Sequence, residues 1–198
     1  MEPDRRLTAQ GLERKQQLLD RAAELFAERG YAETRVIDIV RAAGVAKGLF
    51  YWYFPTKAEL FTELVRVMRL RLRRAQAAAM QSDASALQRI VQGTEASVEF
   101  MAANAAYFAL LDVERTDPAF ADVFEEGSDV YLDDVRRLVV MGQRDGTIAD
   151  GDAHLLAIGV LGAVSSFSNS YRSNRLDSTL TVAELARFVG RWVASALT

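Results

Sequence analysis

Lys47, Tyr51 and Trp52, set around Gly48, bring together an ammonium group and two aromatic planes on one short stretch of chain. Cations that meet phosphates, next to side chains that can reach base edges, are the means by which a protein surface holds a nucleic acid. The stretch is Gly44 to Lys57, Gly-Val-Ala-Lys-Gly-Leu-Phe-Tyr-Trp-Tyr-Phe-Pro-Thr-Lys. Phe50 and Phe54 lie four apart and point to one core, so Gly48 and Trp52 fall on the opposite, exposed face, flanked by Lys47 and Tyr51. Pro55 ends the helix, because it cannot continue the hydrogen-bond ladder and disfavours helical backbone at Phe54.

A helix in that role needs something to aim it. Upstream, Val36, Ile39 and Val40 recur at the spacing of one helix face, and Ala42-Ala43-Gly44 closes that helix at a residue able to take positive φ. Two helices joined by a short glycine turn form a helix-turn-helix, whose second helix enters the DNA major groove. Before it, Leu18-Leu19, Ala22-Ala23 and Leu25-Phe26 form an apolar stripe at helical period, closed by Gly30-Tyr31, which makes a three-helix unit.

The run Leu18-Leu19-Asp20-Arg21-Ala22-Ala23-Glu24-Leu25-Phe26, then Gly30-Tyr31, Thr34, Ile39, Ala43-Gly44-Val45, Lys47-Gly48, Tyr51, Tyr53-Phe54 and Lys57, resembles the N-terminal domain of TetR-family (tetracycline-repressor-like) transcriptional regulators. The resemblance covers about the first 60 residues. It implies a DNA-binding set of Thr34, Arg35, Lys47, Gly48, Leu49, Tyr51, Trp52, Tyr53 and Lys57, with Tyr53 and Lys57 beside the sugar-phosphate backbone. Three positions depart from the family pattern. Ala46 stands where Ser is usual, which removes a side-chain N-cap worth about 1 kcal/mol. Leu49 replaces a small or hydroxyl residue and can pack on a thymine methyl instead. Arg35 stands where Thr is common, near the phosphate expected for Thr34.

Composition is consistent with a two-part intracellular regulator. The 198 residues, half of them hydrophobic, suffice for one large or two modest cores. The chain has no Cys and one His, His154, which excludes disulfides, thiolate metal sites and multi-His metal sites, and no cofactor is expected. Met1 to Gln10 has dense charge and no apolar segment of the signal-peptide kind. The longest apolar stretch, Leu155 to Val164, is too short to span a bilayer, so the expected place is the cytoplasm, without a membrane partner. The net charge of −3 conceals an asymmetry: residues 1–74 hold 15 Lys and Arg against 10 Asp and Glu, residues 75–198 hold 9 against 17. The basic part coincides with the helix-turn-helix.

Past Lys57 the pattern is helical almost throughout, so the expected class is all-α: a helix-turn-helix domain at 1–56 and a helical ligand-binding and dimerisation domain at 57–198. Leu60, Leu64, Met68 and Leu72 repeat every four residues on a long helix that joins the two. Further helices are expected at about 84–103, 105–115, 118–144, 153–173 and 182–197, with loops near 81–85 and 175–179. In the helix from Ala153, small residues including Ala157, Gly159, Gly162 and Ala163 alternate with large apolar ones, and the last helix carries Phe188 and Trp192. Small residues permit close helix approach, and the resemblance implies a four-helix homodimer interface here; an ordinary helical core is the other reading. Dimers of this type read palindromic operators in double-stranded DNA.

The middle helices hold Phe100, Asn104, Tyr107, Phe108, Phe124 and Tyr131, with Met101 and Phe120 nearby, and the resemblance implies a cavity for a small-molecule effector among them. Glu125-Glu126 and Asp133-Asp134 read as a solvated acidic face, because tandem neighbours diverge by about 100° on a helix. An enzyme is the rival from another class, and it lacks a nucleophile motif and a glycine-rich phosphate loop; His154 reads as structural or exposed. The expectation is a repressor released by a ligand. An architectural DNA binder without ligand control is the alternative.

Overall fold

The computed structural model describes residues 8–176 and 179–198; the expectation for the N-terminal segment falls largely outside them, as do Asp177 and Ser178 of the expected 175–179 loop. Among the described residues the elements are α1 (Ala9–Arg29), α2 (Val36–Ala42), α3 (Lys47–Tyr53), α4 (Lys57–Ala79), α5 (Ala86–Ala103), α6 (Ala105–Glu114), a 3-10 turn (Pro118–Phe120), α7 (Ala121–Asp145), α8 (Ala153–Arg172) and α9 (Val182–Leu197). The all-α expectation holds, with no strand among the described residues.

Local chemistry sets the boundaries. Thr56 Oγ1 accepts the Glu59 amide at the start of α4, and Ser85 with Gln88 and Thr181 with Glu184 close reciprocal capping boxes on α5 and α9. Asp117 Oδ1 accepts the Ala119 amide beside Pro118. The chain bends by 89° at Asn104, where α5 gives way to α6. Gly30 and Gly44 take φ of 83° and 64°, backbone that a side chain disfavours, which makes the two corners of the N-terminal unit abrupt.

Two apolar cores hold the molecule. The first joins α1 to α4 with Tyr107, Leu110, Leu111, Phe120 and Val123. Its centre is a ring cluster: Tyr31 lies 5.1 Å from Phe120 and 5.2 Å from Phe61, and Phe61 lies 4.4 Å from Phe120. Phe120, expected near the ligand cavity, is instead buried here, because Pro118 turns the chain back onto the N-terminal unit. The second core packs α9 chiefly on α5 and α8 on α7, around Ile90, Val98, Val139, Val189 and Val193.

Helix α8 corrects one expectation. Its 20 residues are long and apolar enough to pass for a membrane span by length and composition. One side of it, with Ala157, Val160, Ala163, Val164 and Ser168, is buried against α5, α7 and α9, while most of the helix is not buried.

Candidate nucleic-acid interface, cavity and apolar face

Helix α3 is mounted by its aromatics. Phe50 and Phe54 are 0% and 3% exposed in the same core as Ile39, whereas Tyr51 and Trp52 on the far side are 47% and 49% exposed. Lys47 is exposed and its ammonium lies 5.8 Å from the Tyr51 ring, and Trp52 meets Tyr53 edge-on at 4.6 Å. A Cβ added at Gly48 would meet nothing within 4 Å, so the backbone there is open to close approach. Leu49 is half-buried at the edge of this face. Ala46 supplies no side-chain cap, which leaves amide groups at the start of α3 uncapped by a side chain.

Three other residues expected to hold phosphate are engaged inside the protein. Thr34 is 1% exposed, and its hydroxyl donates to the Gly30 carbonyl at 2.8 Å, with Leu25 O at 3.3 Å; it satisfies carbonyls left over where α1 ends. The Lys57 ammonium donates to the carbonyls of Tyr31 at 2.7 Å, Thr34 at 2.9 Å and Ala32 at 3.3 Å, and lies 4.2 Å from the Tyr31 ring centroid. Desolvation lowers its pKa, opposed by the charges of Glu114 and Glu33. The Tyr53 hydroxyl donates to the Gly11 carbonyl at 2.7 Å, tying α3 to the first turn of α1. Tyr53→Phe is therefore expected to cost about 1 kcal/mol of stability through this hydrogen bond, read as a lowered unfolding midpoint. An unchanged midpoint with weakened DNA binding would return the hydroxyl to a phosphate. Arg35 stays exposed, with Nε and Nη2 on the Asp38 carboxylate at 3.0 and 3.2 Å, and this pairing holds the Asp38 pKa below the usual carboxylate range.

The helical domain holds a partly open cavity of about 800 Å³ between α4, α5, α6, α7 and α8. Tyr107, Phe108, Phe124 and Tyr131 line it as expected. Phe100 does not: it packs in the first core, 6.3 Å from Phe108. Neither does Asn104, whose side-chain amide and backbone N–H both donate to the Phe100 carbonyl, at 2.8 and 3.1 Å, at the corner between α5 and α6; Asn104 borders a smaller depression beside Asp20 and Arg71. The lining side chains of α4, Val65, Arg69, Leu72, Arg73, Gln76 and Met80, follow one another at helical spacing. Of these the polar three were missed in the sequence. Their i, i+4 and i+7 offsets from Arg69 were the available signal, obscured by arginines on the outer face of the same helix.

Arg69 is fixed within the wall: it donates to the Val123 carbonyl, its own carbonyl accepts the Tyr131 hydroxyl at 3.2 Å, and its guanidinium fills the space a Cβ would take at Gly127. Gln76 donates to Ser97 Oγ at 2.8 Å. Burial pushes the Tyr107 and Tyr131 phenols well above their ordinary pKa, so both remain neutral. Part of the acidic face of α7 is ion-paired rather than simply solvated: Glu126 with Arg66 at 3.3 Å, Asp133 with Arg136 at 2.7 Å and Asp134 with Arg73 at 2.8 Å.

The outer surface of α8 and α9 is apolar. Leu155 is 64% exposed, and Ile158, Phe188 and Trp192 are 46%, 44% and 46% exposed. Gly159 and Gly162 lie on this face, where an added Cβ at either meets nothing within 4 Å. Ala157 and Ala163, expected with them, are buried inside the chain, because a helix that sets 155, 158, 159 and 162 outward must turn 157 and 163 inward. His154 is exposed at the start of α8.

The family model of bacterial regulatory proteins of the tetR family matches residues 18–64. Over 60 residues the chain is 38% identical to the HTH-type transcriptional regulator AcrR of Shigella flexneri, a match that covers 30% of this chain and 28% of that protein. Over 53 residues it is 47% identical to the HTH-type transcriptional repressor KstR2 of Rhodococcus jostii (strain RHA1), covering 27% of this chain and 26% of the relative. The matched stretch thus spans less than a third of these curated relatives. The remainder is similar in fold: a crystal structure of a bacterial regulatory protein in the tetR family from Rhodococcus RHA1 superposes with a TM-score of 0.75 at 19% identity, over 93% of this chain and 97% of that one. The chain is thus similar to the tetR family of bacterial regulatory proteins over residues 18–64, and its described residues share the overall fold of such a regulator.

Proposed function

We propose that the chain is a sequence-specific DNA-binding transcriptional regulator, a cytoplasmic homodimeric repressor that leaves its operator when a small molecule fills the helical domain. Residues 1–56 form its DNA-binding domain and residues 57–198 its ligand-binding and dimerisation domain, joined by α4, which packs in the first core and lines the cavity. No catalytic role, cofactor or membrane partner enters this reading.

The observation that carries it is the exposed face of α3. Lys47, Gly48, Tyr51 and Trp52 are all open to solvent on a helix whose other face is locked by Phe50 and Phe54. A rigid, basic and aromatic helix following a glycine corner is suited to the major groove. The exposed apolar face of α8 and α9 supports a second copy, and two copies would present two α3 helices to a palindromic site. The large cavity favours ligand control over the purely architectural alternative. A footprint spread along DNA, in place of one palindrome, would favour that alternative.

The Lys47→Ala variant tests the assignment. It is expected to lose about 1–3 kcal/mol on the best operator and to relax preference at one position per half-site, measured by selection of bound sequences and titration of the winners. A uniform loss over all sequences would make Lys47 a phosphate contact. Arg35, Leu49, Tyr51 and Trp52 complete the proposed contact set.

A further inference from the structure

We propose that the cavity of the helical domain takes an elongated amphipathic anion, an apolar body carrying a carboxylate or similar oxyanion, with Arg89 as the group that receives the charge. This rests on the reading of that cavity as the effector site.

Shape comes first. The lining runs along α4 from Val65 to Met80, and at 1.5 Å per helical residue this is about 22 Å. Helix α5 runs antiparallel beside it: Gln76 bonds Ser97, and Met80 lies over Gly93. Arg89, one turn before Gly93, therefore stands at the Met80 end. The opposite end is aromatic, with Tyr107, Phe108 and Phe124. Between the two, Leu72, Ile90, Val160 and Val164 give an apolar passage.

Charge follows. Of the arginines that line the cavity, Arg73 is paired with Asp134 and Arg137 with Asp133, Arg69 donates to the Val123 carbonyl, and Arg115 lies against the Phe124 ring. Arg89 has no side-chain hydrogen bond, ion pair or ring contact among the described residues, and its Nε is buried without a partner. A buried guanidinium N–H left unmatched is costly, and an anionic acceptor offsets that cost most fully because it supplies charge together with the hydrogen bond. One unmatched arginine at the end of a passage whose other arginines already have partners selects a molecule with an anionic end and an apolar body.

The test uses the full-length protein without DNA and three ligands of equal chain length, tetradecanoate, tetradecanol and tetradecylamine, each below its micelle threshold and followed by calorimetric titration. Wild type is expected to bind the carboxylate about tenfold or more tightly than the alcohol, and the amine most weakly. Arg89→Met, which keeps an apolar stem, should bring the carboxylate to the level of the alcohol, while Arg89→Lys should retain part of the preference and Arg115→Met all of it. Equal binding of carboxylate and alcohol by wild type overturns the proposal, as does absent carboxylate binding or an undiminished preference in a folded Arg89→Met. Operator release is assayed separately. A carboxylate that binds through Arg89 without releasing DNA counts against ligand control and leaves this site standing, whereas release by neutral molecules alone does the reverse.

Discussion

Lys57→Met is expected to destabilise the N-terminal unit by about 2–3 kcal/mol, and DNA affinity should fall with it while the salt dependence of the binding that remains stays unchanged. The ammonium of Lys57 gathers the carbonyls of Tyr31, Ala32 and Thr34, the turn between α1 and α2, and covers the Tyr31 ring. Hydrogen bonds from a charged donor contribute about 1.5–3 kcal/mol, and the ring contact adds a fraction of that. The substitution keeps the length and apolar stem of the side chain, so the loss reports the ammonium. A lysine holding a phosphate instead would give a stable variant whose log affinity falls less steeply with log salt, by about one counterion per subunit. Chemical denaturation of wild type and variant, with affinities measured over a range of salt, separates the two. A stable Lys57→Met with a shallower slope would move the residue back to the DNA surface.

The case of Lys57 shows where sequence reading stops. That α3 would bury Phe50 and Phe54 and expose Tyr51 and Trp52 was legible, because the positions are close in sequence and helical period alone separates the faces. The caps at Asp117 and Thr181 were legible for the same reason, whereas Ser85 read as loop and proves to be the cap of α5. What Lys57 and Tyr53 bond to was not, since their acceptors are carbonyls of turns 23 or more residues away, and a carbonyl leaves no signature in residue identity. In the helical domain the region of the cavity was readable but its members only in part. Phe100 and Phe108 are both aromatic and both pack against the first core, yet only Phe108, beyond the corner at Asn104, also lines the cavity. Arg89 looks like any surface arginine until Met80 and Gly93 bring α4 and α5 together around it.

The small residues of α8 pose the same problem in a sharper form. Ala157 and Gly162 are alike in size, and only the helix's orientation in the domain separates them: Ala157 is 0% exposed inside the chain, whereas Gly162 faces open space. Gly162→Trp should therefore leave the isolated fold intact, because nothing within 4 Å of the new Cβ resists it and the larger side chain has solvent to occupy. In a homodimer built on the faces of α8 and α9, the same indole must be accommodated between two helices brought close by glycine. Overpacking of that kind cannot be relieved by a rotamer change when backbones approach each other. The variant is expected to sediment as a monomer at concentrations where wild type is a dimer, with unchanged helical content. Its affinity for a palindromic operator should fall about a hundredfold or more, since each α3 then binds its half-site without the high effective concentration supplied by its twin. Binding to a single half-site should hardly change, which separates lost pairing from a damaged α3. A Gly162→Trp protein that remains dimeric and binds the palindrome normally would place the interface on another face, and the exposure of Leu155, Ile158, Phe188 and Trp192 would then need a different partner.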